Sequence, residues 1–127
     1  MTKELSCNTI YLYIVLQDSE VIKIIPSQML KGLLEGCILE IIKKDETYAY
    51  EISNKLNSYG FGEISEGTIY PIILRLQKNK MISATLKESN SGPKRKYYKL
   101  TETGEEALKQ FKFHWSELNA AVNKLIK

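Results

Sequence analysis

The 127-residue sequence predicts an α+β, mainly helical fold, on three observations. Apolar residues recur at helical spacing through most of Ser27–Lys80. The period then switches to two at Ile82, and a turn cluster separates two short strand-like runs. From Thr101 the helical period returns as a seam that reaches the last residues. The composition agrees: 43% hydrophobic and 26% charged residues is the profile of a soluble folded chain. A chain of this length buries a core without a disulfide or metal. No apolar run approaches the roughly 20 residues of a membrane span, so no membrane partner is expected.

Residues 1–25 form an extension ahead of the main pattern. Thr9–Leu16 and Val21–Ile25 are β-branched and aromatic runs separated by Gln17-Asp18-Ser19-Glu20. They fit a β-hairpin, a helix or a mobile arm, and Pro26 ends them. The run Ile10–Leu16 is signal-like, but Glu4 offsets Lys3 and no small-residue cleavage site follows, which argues against a signal peptide.

A first helix is predicted over Ser27–Lys44, with Ser27 as N-cap and Lys43-Lys44 complementing the helix C-terminus. Its stripe is Met29, Leu30, Leu33, Leu34, Cys37, Ile38, Ile41 and Ile42. Gly32 and Gly36, four apart, admit a close neighbouring helix. Thr47 is the expected cap of a second helix, about Tyr48–Tyr59, with Ala49, Ile52 and Leu56 inward and Gly60 as its stop. Phe61-Gly62-Glu63-Ile64 makes a short turn with two apolar anchors. Ser65 then caps a third helix, about Glu66–Lys80, with Ile69, Ile72, Ile73 and Leu76 inward. Thr68, Tyr70, Arg75 and Lys78 face outward. Pro71 either kinks this helix, facing the carbonyl of Gly67, or marks a later start near Tyr70.

Ile82, Ala84 and Leu86 alternate with polar residues, Ser89–Pro93 is a turn cluster, and Lys94–Leu100 reads as a return strand. Tyr97 and Tyr98 fall on opposite faces, so one of them belongs to the core. Thr101 starts the last helix, with Glu102, Glu105 and Glu106 at its positive end. Leu108, Phe111, Trp115, Leu118, Val122 and Leu125 are spaced 3, 4, 3, 4 and 3 apart. That heptad seam is long for a helix that only caps a small domain. It reads as a dimer helix, against the alternative of packing on its own core.

Charge follows the same segmentation. The net charge is +3, yet residues 65–99 alone carry +6. Concentrated positive charge attracts polyanions, although a solvated face, or a hairpin edge charged to block aggregation, also explains it. Three short helices, a basic hairpin and a final helix make the winged helix-turn-helix order, in which the third helix enters a major groove and the wing meets the adjacent backbone. The segmentation gives an N-terminal extension (1–25), a winged helix domain (26–100) and a C-terminal dimerisation helix (101–127).

Three motif groups resemble the PadR family of transcriptional regulators. They are Gln28-Met29-Leu30-Lys31-Gly32 with Thr47-Tyr48-Ala49-Tyr50-Glu51-Ile52, Ser65-Glu66-Gly67-Thr68-Ile69-Tyr70-Pro71 with Leu74-Arg75-Leu76, and Gly92-Pro93-Lys94-Arg95-Lys96-Tyr97-Tyr98-Lys99-Leu100-Thr101-Glu102-Thr103-Gly104. The match spans about Pro26–Lys127 and departs at Ala49, where the family commonly has glycine. The resemblance implies a cytoplasmic homodimeric repressor on a near-palindromic duplex operator, released by a small molecule. Short members dimerise through the first and last helices, which implicates Leu30, Leu34, Leu108, Phe111, Trp115, Leu118, Val122 and Leu125. Trp115 matches an aromatic that stacks small planar hydrophobic effectors; its alternative role is interface packing.

The backbone at Ser65, Glu66 and Gly67 opens the third helix and suits a phosphate, while the Glu66 carboxylate suits a cytosine amine. Thr68 and Tyr70 are candidates for base or phosphate contacts. Arg75 suits a phosphate or a nearby carboxylate. Tyr50 offers its hydroxyl to the DNA backbone or serves as a half-buried core aromatic. Lys94, Arg95 and Lys96 are the wing contacts.

No cofactor or metal is expected. Cys7 and Cys37 form no CxxC pair, there is no glycine-rich phosphate loop, and unpaired thiols fit a reducing cytoplasm. His114 is the single histidine and has no nucleophile around it, so catalysis is not expected. The competing function is a winged-helix protein-docking module, whose basic window would meet an acidic partner. If the window meets DNA, duplex affinity falls steeply with salt, and Lys94→Ala or Arg95→Ala each shallows the logarithmic slope by about one unit; a salt-independent affinity rules the DNA reading out.

Overall fold

The computed structural model describes residues 25–89 and 92–127, so the expected arm over 1–25 lies almost wholly outside the described residues. The elements are α1 (Ser27–Leu30), α2 (Leu34–Lys44), α3 (Ala49–Ser58), α4 (Glu66–Lys78), β1 (Ile82–Ser89), β2 (Gly92–Leu100) and α5 (Glu102–Ile126). This is a mainly helical winged-helix fold with one two-stranded antiparallel sheet and a long C-terminal helix.

The single first helix expected from Ser27 to Lys44 is in fact two. Gly32 adopts φ +91°, a left-handed conformation that glycine enters at no steric cost, and α2 restarts at Leu34. Pro26, not Ser27, occupies the N-cap position of α1. Most of the stripe survives the break: Leu30, Leu34, Ile38, Ile41 and Ile42 are buried with Leu33 and Cys37 half-buried, but Met29 is exposed, and Leu39, not expected on the stripe, is buried. Of the two glycines expected to admit a neighbour, only Gly36 does so. A β-carbon there would overlap the ring of Phe111 on α5.

Tyr48, not Thr47, is the N-cap position of α3. Thr47 instead pairs with Tyr98 of β2: its N–H donates to the Tyr98 carbonyl at 3.4 Å, and the Tyr98 N–H donates back at 2.7 Å. Ala49, Ile52 and Leu56 face inward as expected, and Gly60 at φ +98° ends the helix region. Helix α4 starts at Glu66 and continues through Pro71, so the later start near Tyr70 is not adopted. It buries Ile69, Ile73 and Leu76, with Ile72 half-buried. It ends two residues early, because Lys80 takes φ +59° and turns the chain into β1.

The strands pair from Ile82↔Leu100 to Ser89↔Gly92, with an irregularity between Lys87 and Ser89. Only the root of the hairpin reaches the core. Ile82 and Tyr98 are buried, whereas Ala84 and Leu86 are exposed because the strands run past the helices. At that root Thr101 N–H donates to the Met81 carbonyl at 3.1 Å. The Thr101 hydroxyl donates to the Lys80 carbonyl at 2.6 Å and accepts the Gly104 N–H at 3.1 Å, the cap expected of it.

Gly104 lies against the Met81 carbonyl so closely that a β-carbon would collide with it. Gly104→Ala is therefore expected to cost about 1–3 kcal/mol, read as a lower urea midpoint at unchanged m-value. Gly67→Ala, whose methyl would meet Ser65 Oγ at an ordinary 3.6 Å, is the control and leaves the midpoint unchanged or raised.

Candidate nucleic-acid interface

The α3–α4 turn is fixed from both sides. The Ser53 hydroxyl donates to the Ile64 carbonyl, and the Ile64 N–H donates to Asn57 Oδ1 at 2.8 Å. Gly60 and Gly62 supply two left-handed residues between the helices. With Ile69, Ile73 and Leu76 turned inward, the opposite side of α4 presents Gly67, Tyr70, Pro71, Leu74 and Lys78 to solvent. Ser65 and Thr68 are also exposed, with their hydroxyl oxygens 3.4 Å apart, and Glu66 is half-buried. Leu74, 62% exposed, was not singled out from sequence; its spacing of four from Tyr70 was the available signal.

Arg75 takes the carboxylate rather than leaving its fork free: Nε lies 3.1 Å from Glu35 Oε2 on α2. Tyr50 on α3 is exposed, so the half-buried core role does not hold. Tyr98 is the core member of the tyrosine pair. Burial raises its hydroxyl pKa, and the Tyr70 phenol raises it further.

In the wing, Lys94, Arg95 and Lys96 are exposed. Lys94 Nζ lies 3.7 Å from Glu88 at the surface, a pair worth little against water. The Arg95 guanidinium sits 4.5 Å over the Tyr48 ring. Tyr48 meets Tyr97 edge-on at 5.2 Å. Lys87 lies 5.1 Å over the Tyr97 ring and 3.0 Å from Glu46. Glu46, Tyr48 and Lys87 were not singled out as site residues. Strand pairing alone puts Lys87 beside Arg95, but the partners ahead of α3 depend on the folded chain.

Leu30, Leu34 and Leu108, expected at a subunit interface, are buried in the protomer's own core, although Leu30 and Leu34 line one surface cavity and Leu108 another. Phe111 is half-buried against Gly36, and Lys112 pairs with Glu40 at 3.1 Å, which pins the first half of α5 to α2. Beyond that point Trp115, Leu118, Val122 and Leu125 are exposed along one side of α5. Between α2, α3 and α5 lies a cavity of about 400 Å³, lined by Cys37, Ile41, Tyr59, Phe61, Phe111 and Trp115 among others. No group of three or more metal-ligating side chains occurs among the described residues. No helix among them is long and apolar enough to cross a membrane.

Residues 38–110 match the transcriptional regulator PadR-like family. An uncharacterised protein of Lysinibacillus sphaericus is 32% identical over 102 residues, covering 76% of this chain and 91% of that protein. The crystal structure of a PadR-like transcriptional regulator from Bacillus cereus is 56% identical, with a TM-score of 0.72 over 79% of this chain and 97% of that one. PadR of Bacillus subtilis, solved in complex with operator DNA, covers 63% of this chain and 46% of its own at 23% identity and a TM-score of 0.58, a likeness of fold alone.

Burial raises the Cys37 thiol pKa, which keeps the reactive thiolate scarce. In a Cys7→Ser variant, alkylation of Cys37 at pH 8 is expected to run slower than that of free cysteine. A rate equal to or above the free thiol shows the cavity wall to be open and polar.

Proposed function

The chain belongs to the PadR-like family of transcriptional regulators, and on that footing we propose that it is a homodimeric, sequence-specific DNA-binding repressor released by a small planar hydrophobic effector. The observation that carries this reading is that the +6 segment, residues 65–99, is also the segment that forms α4 and the wing. Polyanion attraction and groove-sized elements coincide on one stretch of chain. Residues 26–100 then serve as the DNA-binding unit. Ser65, Glu66, Gly67, Thr68 and Tyr70 open the helix that enters the major groove, with Tyr50 beside them and the wing lysines on phosphate.

Dimerisation is supported by the exposed row Trp115, Leu118, Val122 and Leu125, whose spacing is that of a two-helix seam. A twofold dimer carries two recognition helices and therefore calls for an inverted repeat. Effector release is supported by Trp115 standing where a half-open apolar cavity meets that seam. A planar ligand stacked there would change the spacing of the subunits and so of their recognition helices.

Selection of duplexes from a random pool by the purified protein tests the reading. An enriched inverted repeat is the expected result. No enrichment at low salt overturns it in favour of a protein-docking module. Leu118→Glu combined with Val122→Glu is expected to give monomers in sedimentation at micromolar concentration and to weaken operator binding at least tenfold. A wild-type chain that sediments as a monomer refutes the dimer.

A further inference from the structure

The chain has only two arginines, the side chain best shaped to fork onto a phosphate or a guanine edge, and both are engaged by the protein itself. Arg75 is bound to Glu35 across the α2–α4 boundary. Arg95 lies on the Tyr48 ring just ahead of α3. The second case is part of a larger arrangement. The segment Glu46-Thr47-Tyr48 meets the wing at one isolated bridge, Thr47 opposite Tyr98. Thr47 exchanges backbone hydrogen bonds with Tyr98 in both directions. The side chains then stack in one row: Glu46 on Lys87, Lys87 over Tyr97, Tyr97 edge-on to Tyr48, and Tyr48 under Arg95.

The strand register explains why these partners and no others meet. Lys87 is opposite Arg95 and Thr85 is opposite Tyr97, so all four side chains share the face of the hairpin turned towards Tyr48. Leu86 is opposite Lys96 and Ala84 is opposite Tyr98, which puts Lys96 on the other face, in line with Tyr98. At the hairpin root this second face is buried through Ile82 and Tyr98, and farther out it carries the exposed Lys94 and Lys96. A two-stranded hairpin alone is marginal in water. Each contact in the row is small, but the row joins strand to strand and the pair to α3.

Resting on the DNA-binding reading above, we propose that Glu46-Thr47-Tyr48 is a strap that seats the wing on the helix-turn-helix. In this arrangement Arg95 is a positioning residue, which replaces the sequence-based expectation that Arg95→Ala shallows the salt slope, and the wing's phosphate contacts fall to Lys96 and Lys94. Arg95 holds the hairpin at the angle from which those lysines reach the duplex. Its charge is held against an aromatic face by cation–π attraction.

Two measurements test this, one of them without DNA. In the free protein, Tyr48→Ala is expected to speed hydrogen exchange at the wing amides of Thr85–Tyr98 at least tenfold while the amides of α4 keep their protection. Tyr48→Phe, which keeps the ring, stays like the wild type. Unchanged wing exchange in Tyr48→Ala overturns the strap. With a selected duplex, Arg95→Ala and Tyr48→Ala are expected to weaken binding several-fold at an unchanged salt slope, whereas Lys96→Ala shallows the slope by about one unit. A one-unit loss in Arg95→Ala identifies it as a phosphate contact and overturns its positioning role. If the wild-type chain binds no duplex, the DNA-binding reading fails, and the exchange result alone decides the strap.

Discussion

The geometry of this molecule depends on the few ångströms where Met81 and Lys80 meet Thr101 and Gly104. Four elements converge there: α4 ends, β1 begins, β2 ends and α5 begins. Two carbonyls that would otherwise be orphaned at the end of α4 are taken by the backbone and hydroxyl of Thr101. The same hydroxyl caps α5. Lys80 accepts a left-handed backbone, which costs a side-chain-bearing residue about 1–2 kcal/mol, so that the turn can be that tight. Gly104 has no side chain because the Met81 carbonyl occupies its place. Helix α4, the wing and helix α5 therefore share one fixed origin. Their relative angles are set by the hydrogen bonds that Thr101 makes to Lys80 and Met81, and for α5 also by its packing on α2 through Phe111 and Gly36.

A second constraint is how the basic segment divides its charges. Lysine ammonium groups on flexible stems suit a phosphate backbone that must be met without strict geometry, and guanidinium groups suit planar partners. The protein follows that division within itself. Arg75 fixes α4 to α2 through Glu35, and Arg95 rests on a tyrosine ring. Lys94 has only a weak surface partner, whereas Lys87 is drawn to Glu46 and the Tyr97 ring. Sequence reading could count these charges but could not divide them, because the partners Glu35 and Tyr48 lie 40 and 47 residues away along the chain.

What was legible in the sequence was whatever repeats locally. The inward faces of α3 and α4, the Gly60 stop, the Ser65 start, the hairpin and the Thr101 cap each follow from residues within a few positions of one another. What escaped depends on tertiary placement. Gly32 looked like a weak spot in a helix and is instead its break, since the φ of a glycine leaves no trace in the pattern of neighbours. Thr47 looked like a cap, but an edge strand 51 residues away claimed its backbone. Leu108 fits a seam by spacing, and the family resemblance adds Leu30 and Leu34, yet all three are buried in the protomer's own core. Arg75 was left open between two partners, and only the fold chose between them.

The second half of α5 is held by nothing else among the described residues. From about Ser116 to Ile126 the helix has, among the described residues, neither a core contact nor a long-range ion pair, only the Asn119–Asn123 side-chain bond along its own surface. A helix of so few residues, alone in water, is marginal. This tail is thus the part of the chain most open to digestion, and its survival is tied to whatever lies along its apolar stripe. Whatever covers that stripe therefore also guards the C-terminal end of the chain against digestion.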